Sequence, residues 1–282
     1  MQIIKIYLAA YGGGTEITMK FSAAGGWFGK DWYGNVAEGA KYGFKGVEQL
    51  GWNGLDMAKA KAALDETGVT STAIVIQSAV KENNTQMAWS HGMVWEDTRQ
   101  IFIDSFKETV EAAKALNVPN IIATVGNERS DISREAQFDI CVTTLKELSK
   151  IAEDNGIMIV LEPLNILVNH AGYFLVTSDE AFKMIKAVDS PNCKLLFDIY
   201  HQQISEGNII RNITNNIDLI GHFHITDNPG RREPGTGEIN YTNVFDAIQK
   251  TGYDRWLAFE CGRSVDVPEL CANMHNLIDP FC

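Results

Sequence analysis

Four side chains of metal-binding type each close a short apolar run. They are Glu162 (Ile-Met-Ile-Val-Leu-Glu, 157–162), Asp198 (Lys-Leu-Leu-Phe-Asp, 194–198), His224 (Ile-Gly-His-Phe-His, 220–224) and Glu260 (Trp-Leu-Ala-Phe-Glu, 256–260). The intervals between them are 36, 26 and 36 residues, each near the length of one strand plus one helix. Polar residues at the ends of successive buried parallel strands converge on one rim. Singly, each would be an ordinary salt-bridge partner. Together, carboxylates crowded at such a mouth repel one another unless a cation joins them. Two Glu, one Asp and one His suit one divalent ion such as Mn²⁺, Mg²⁺ or Co²⁺. The expected metal ligands are therefore Glu162, Asp198, His224 and Glu260.

Such a centre supports a definite chemistry. A divalent ion holding a carbonyl oxygen and the neighbouring hydroxyl stabilises the enediolate left when the α-proton departs. One carboxylate takes that proton and another, on the opposite face, returns it. Glu162 and Glu260 are the expected pair, because they come from the fifth and eighth strands. His201, three residues after Asp198, would open the next helix and contact substrate. Arg231, of the adjacent Arg231-Arg232 pair, is the expected anchor for a substrate hydroxyl or carboxylate. His91 is the candidate contact from a covering loop. His222 alternates with His224 and shares its side of the strand, while Glu48 closes the second strand as Glu162 closes the fifth.

A repeating scaffold is required to bring these residues together. Short apolar runs at 19–24, 46–50, 70–76, 119–125, 157–162, 194–198, 219–225 and 256–260 read as strands. Helical spacing occupies 33–43, 56–67, 97–116, 133–154, 178–188, 201–214, 241–251 and 267–277. Asp56, Ser133, Ser178 and Thr242 stand near helix starts, and glycines 43, 68, 156 and 252 follow helix ends. Eight strand–helix alternations predict one α/β domain, a closed (β/α)₈ TIM barrel over the whole chain, with 1–17 as an extension before the first strand. Gly-x-Gly-x-x-Gly is missing, which disfavours an open nucleotide-binding sheet. Two long loops fall on the rim: 77–96, with Trp89, His91, Met93 and Trp95, and 226–240, rich in Gly and Pro.

Composition narrows the partners. The 282 residues carry a formal charge of −12, which disfavours nucleic acid and anionic membranes. Five cysteines, an odd number without metal-type clustering, fit reduced thiols. With no membrane-length apolar run and no signal-peptide pattern, the expected setting is the cytoplasm and the expected partner a small molecule.

Leu-Glu-Pro-Leu-Asn (161–165), Gly-Tyr-Phe-Leu (172–175), Phe-Asp-Ile-Tyr-His-Gln-Gln (197–203) and Asp-Asn-Pro-Gly-Arg-Arg-Glu-Pro-Gly-Thr-Gly-Glu-Ile-Asn-Tyr (227–241) carry a resemblance. The chain resembles the xylose-isomerase-like barrel superfamily of sugar isomerases and epimerases, and within it the hydroxypyruvate isomerases. The likeness implies that Glu162 and Glu260 transfer the proton and hold the metal with Asp198 and His224, and that His201 contacts substrate. Analogy with barrels of this group also makes a homo-oligomer through the rim loops an expectation. Two positions depart. Hydroxypyruvate isomerases typically carry Gln where His224 stands, whereas ketose 3-epimerases carry this His-x-His pattern. The last strand reads Phe-Glu-Cys instead of Cys-Glu-Tyr. The leading expectation is a hydroxypyruvate isomerase-like enzyme. The alternatives are a ketose 3-epimerase of the tagatose/psicose type and a metal-dependent keto-polyol dehydratase. Apurinic-site endonuclease chemistry is disfavoured by the acidic charge and by Gln77-Ser78 and Gly126-Asn127 at the third and fourth strand ends.

Overall fold

A computed structural model describes residues 18–88 and 91–282. The extension at 1–17 and Trp89 of the rim loop lie outside the described residues. Nine parallel strands are hydrogen-bonded in the order β3-β2-β1-β9-β8-β7-β6-β5-β4. They are β1 (Lys20–Ala24), β2 (Gly46–Glu48), β3 (Thr70–Ser71), β4 (Ala73–Val75), β5 (Asn120–Ala123), β6 (Met158–Leu161), β7 (Cys193–Asp198), β8 (Ile220–Ile225) and β9 (Trp256–Phe259). β3 and β4 are two halves of one strand interrupted at Thr72, so the order closes on itself as the expected eight-stranded cylinder.

Successive side chains of a strand face opposite sides, and here that parity separates two cores. One parity sends Ile121, Ile159, Leu195, Phe223 and Leu257 outward against the helices, in the large apolar cluster. The other sends Ala73, Ile122, Val160 and Leu196 into the barrel, where they form a small cluster of their own. Two residues further along the same inward parity come Glu162 and Asp198. In register, Leu196 pairs with His222 and Asp198 with His224, and His224 pairs with Ala258, two positions before Glu260. The interior is therefore apolar below and ionisable at the C-terminal rim.

Ten helices surround the described strands: α1 (Trp32–Lys41), α2 (Met57–Thr67), α3 (Lys81–Met87), α4 (Arg99–Leu116), α5 (Arg134–Asn155), α6 (Ser178–Val188), α7 (Ile199–Ser205), α8 (Ile209–Asn215), α9 (Tyr241–Lys250) and α10 (Val267–Ile278). Asp56 and Ser133 accept from the backbone N–H three residues on, as their positions predict. The caps near 178 and 242 are instead Thr177 and Asn240, which accept from the N–H groups of Glu180 and Asn243.

Two elements differ from the sequence reading. The helix expected over 201–214 is two, because Gly207 and Asn208 both adopt positive φ, which no helix continues through. The rim loop 77–96 contains a helix, α3, with Met87 as its buried residue. That loop is tied to the barrel where Gly92 packs against Gly126, so close that a Cβ on Gly92 would stand 2.5 Å from the Gly126 Cα. Among the described residues no helix is long and apolar enough to cross a membrane.

Candidate metal centre and active site

The four strand-end donors converge. One ligand atom from each of Glu162, Asp198, His224 and Glu260 lies within 4.8 Å of all the others. His224 Nδ1 is 3.4 Å from Glu162 Oε1, 3.4 Å from Glu260 Oε2 and 3.9 Å from Asp198 Oδ2. Octahedral ligands at about 2.1 Å from an ion stand about 3–4 Å apart, so this set has the dimensions of a cation cradle. Two of the atoms facing the centre, Asp198 Oδ2 and His224 Nδ1, are buried without a hydrogen-bond partner. Unpartnered buried polar atoms are costly. Their common direction makes the donor set fit a divalent ion.

The strand ends are held by the rim. Tyr173 accepts from the Val125 N–H at 2.9 Å and donates to the Glu162 carbonyl at 3.1 Å, joining the ends of β5 and β6. Tyr241 does the same at β8, accepting from the Thr226 N–H and donating to the Thr226 carbonyl, while the Thr226 hydroxyl donates to the Glu260 carbonyl. Asp198 Oδ1 caps α7 by accepting from the His201 N–H at 3.0 Å, which leaves Oδ2 for the centre.

Beneath the centre lies a network that the strand-end pattern did not disclose. Glu48 crosses the interior from β2 to β8, accepting from His224 Nε2 at 2.6 Å and His222 Nε2 at 2.8 Å. The Thr72 hydroxyl donates to the same carboxylate at 2.7 Å, and Ser22 is bonded to Thr72 at 3.0 Å. A carboxylate can only accept, so both imidazoles carry hydrogen on Nε2. His224 is thereby left with Nδ1 for the centre. Thr72 is the residue at which the third strand is interrupted. The sequence offered Glu48 as a strand-end acid, but partnership across a barrel interior leaves no local trace.

The electrostatics follow from burial and from the crowding of acids around one imidazole. Burial raises Asp198 to about 6, with the Glu260 charge adding to it. Burial likewise raises Glu162. Burial opposes ionisation of Glu260, but the charge of His224 and the Arg231 guanidinium hold it at about 2. Burial would lower His224, yet the charges of Glu260 and Glu48 prevail and raise it. Without a metal, the imidazolium is thus the local counter-charge.

Above the centre opens a cavity of about 460 Å³, with Glu162, Glu260, Arg231 and His170 among its walls. Arg231 Nη2 donates to Glu260 Oε2 at 2.8 Å, whereas Arg232 is exposed. The Arg231 loop is wound around Asp227, whose buried carboxylate accepts from the N–H groups of Gly235, Gly237 and Ile239. His201 Nδ1 accepts from the Asn165 N–H at 3.2 Å, so its hydrogen sits on Nε2, a buried atom without a partner and 3.7 Å from Asp198 Oδ2. Burial lowers His201 to about 4, which keeps it neutral. His91 is not among the walls. Its ring stacks on Trp95 at 4.6 Å, and Trp95 in turn lies 4.0 Å from the Arg129 guanidinium. The walls above are supplied instead by Asn84, Met87 and Ala88, in and just after α3.

A closed barrel with buried acids and a histidine gathered at its C-terminal rim defines a barrel with a candidate metal site. Residues 36–275 match the model of the xylose isomerase-like TIM barrel family, and the chain belongs to that family. It is 30% identical over 231 residues to hydroxypyruvate isomerase of Escherichia coli K12, covering 82% of this chain and 87% of that one. It is 29% identical over 228 residues to 2-oxo-tetronate isomerase of Cupriavidus necator, covering 79% and 84%. The solved structure of an AP endonuclease, family 2, from Brucella melitensis superposes with a TM-score of 0.83 at 25% identity, covering 92% of this chain and 98% of that one. A D-psicose 3-epimerase from Clostridium cellulolyticum H10 shares the fold with a TM-score of 0.72 at 21% identity, covering 93% and 92%. Within the family the chain is an isomerase-type enzyme similar to the hydroxypyruvate isomerases.

Proposed function

We propose that this enzyme is a metal-dependent isomerase of short hydroxylated 2-oxo acids, interconverting a 3-hydroxy-2-oxo acid and its 2-hydroxy-3-oxo isomer. The observation that carries the reading is the pair Glu162 and Glu260, each 3.4 Å from the same His224 nitrogen, with Asp198 Oδ2 and His224 Nδ1 buried and unpartnered between them. Glu162, Asp198, His224 and Glu260 would hold the ion, Mn²⁺, Mg²⁺ or Co²⁺. That ion supplies polarisation of the carbonyl and stabilisation of enediolate charge, a contribution of several kcal/mol.

The chain's own residues do the rest. Glu260, kept ionised by Arg231, takes the proton from the hydroxyl-bearing carbon. Glu162, whose burial favours the protonated form, delivers a proton to the former carbonyl carbon. The hydroxyl proton moves from one oxygen to the other, so the reaction is redox-neutral overall. The His201 Nε2–H donates to a substrate oxygen, and Arg231 receives the carboxylate of the acid.

The test is proton NMR in D₂O with Mg²⁺-loaded protein and hydroxypyruvate, 2-oxo-tetronate and ketohexoses as substrates. The expected result is conversion of an oxo acid with deuterium entering beside the carbonyl. Glu162→Gln should abolish that exchange in a folded protein, and retained turnover in the variant would refute the assignment. His224, which resembles the epimerases, favours one other reading: a ketose 3-epimerase using the same glutamates. Conversion of only a ketose to its C3 epimer would establish it, and loss of water would establish a dehydratase.

A further inference from the structure

Glu260 faces two spaces. Besides the cavity it shares with Glu162, it borders a second recess of about 500 Å³ between the ends of β1 and β9. Leu50, Arg231 and Glu260 line both spaces, so the two adjoin at the proton-transferring carboxylate and its cation. Their walls differ. The first is largely apolar side chain, including Leu50, Val75, Ile76, Ile122 and Leu164. The second includes three glycines, Gly25, Gly26 and Gly262, with Glu48 and Gln49 beside them.

The bare backbone is fixed in place. Trp27 Nε1 donates to the Cys261 carbonyl at 2.9 Å, locking the two strand ends together. Gln49, behind Gly25, is committed at both ends, accepting from Asn35 at 2.7 Å and donating to the Trp32 carbonyl at 2.8 Å. At Gly25 a Cβ would stand 2.4 Å from Gln49. At Gly26 it would meet nothing within 4 Å, so the missing side chain there leaves open space. Glycine is used where a ligand must approach backbone, and peptide N–H and C=O groups are what hydroxyls bond.

We propose that this recess is a substrate subsite for the hydroxylated arm beyond the reacting carbons, making four-carbon and longer sugar acids the preferred substrates over three-carbon ones. The inference rests on the isomerase reading for its chemistry. A three-carbon acid consists of two reacting carbons and a carboxylate, so it has nothing to place past Glu260. With the carboxylate on Arg231, a fourth carbon and its hydroxyl extend into the glycine-lined recess.

The test fills the recess from Gly26 in graded steps, Gly26→Ala and Gly26→Leu, on the full-length Mg²⁺-loaded protein. Circular dichroism establishes that each variant is folded, and the alanine variant serves if the leucine variant is not. Calorimetry with two unreactive probes, D-erythronate (four carbons) and D-glycerate (three carbons), reads the subsite without turnover. The native protein should bind erythronate about tenfold more tightly, the order expected for one added group in a fitted pocket. That ratio should collapse stepwise through the alanine and leucine variants. The ratio of kcat/KM for 2-oxo-tetronate over hydroxypyruvate should fall in parallel. An affinity ratio near one in the native protein, or one unmoved by filling, would overturn the subsite. A collapsing affinity ratio without turnover of any oxo acid would leave the subsite standing and overturn the isomerase reading instead.

Discussion

Glu48→Gln separates the roles of the carboxylate beneath the proposed metal centre. Glu48 accepts three hydrogen bonds, from His224, His222 and Thr72, at 2.6, 2.8 and 2.7 Å. The amide keeps the shape but accepts through only one oxygen. Its NH₂ must take the place of either Oε1, facing the His224 Nε2–H, or Oε2, facing the His222 Nε2–H and the Thr72 hydroxyl, and so meets a histidine donor against donor in both cases. If it faces His224, relief comes from an imidazole that gives up its Nε2 hydrogen and keeps the one on Nδ1. That hydrogen would then point at Glu162, Asp198 and Glu260, closing the atom the ion requires. Losing such a ligand-orienting partner typically weakens metal binding about 10–100-fold, or about 1.4–2.7 kcal/mol. The cost to folding is smaller than the bonds suggest, because a buried charge is removed with them. Mn²⁺ titration calorimetry measures the affinity, and ¹⁵N-histidine NMR reads the tautomer. Mn²⁺ affinity within twofold of the native value, with His224 still carrying hydrogen on Nε2, would refute the argument that Glu48 sets the tautomer.

Metal stabilisation should depend on pH. Asp198 titrates at about 6 in the folded protein against 3.8 as a model group, so between those values the fold holds a proton the unfolded chain has lost. Its contribution to stability is therefore present below about pH 4 and lost as pH rises through about 6. Thermal melts should show Mg²⁺ raising Tm more at pH 7.5 than at 5.5, and a shift independent of pH would contradict the buried-carboxylate account. Binding of the ion should also release protons, chiefly from His224, detectable as a buffer-dependent heat. Asp227→Asn removes half the acceptor capacity around which the Arg231 loop is wound, so KM should rise more than kcat falls; an unchanged KM beside a lower Tm would deny the loop a positioning role. Gly92→Ala places a methyl 2.5 Å from Gly126 at a φ of +74°, and should cost about 2–3 kcal/mol in urea unfolding.

The strand ends were the legible part of this chain. Parity within a strand is local, so Leu196 and Asp198, or His222 and His224, announce a shared side of the sheet from sequence alone. Eight apolar runs separated by helical spacing then leave little choice of fold. Partnerships across the barrel were illegible, since Glu48 and His224 are 176 residues apart and their strands are not neighbours. The helix α3 escaped because Lys-Glu-Asn-Asn-Thr-Gln-Met offers no apolar periodicity and buries only Met87. The break between α7 and α8 was marked by Gly207-Asn208, a pair suited to positive φ, within a run whose apolar spacing continued on both sides.

The burial of the donor set is uneven, and that bears on the traffic of ions. Asp198 and His224 are sealed from solvent, while the Glu260 side chain retains 26% of its exposure and is held by Arg231. Under the proposed metal reading, an ion would enter and leave on the Glu260 side, past the Arg231 guanidinium and through its ion pair with Glu260. On the metal reading, the rate of loading would depend on that pair as well as on the four ligands. Metal content after purification would then record the ions available when the chain was made.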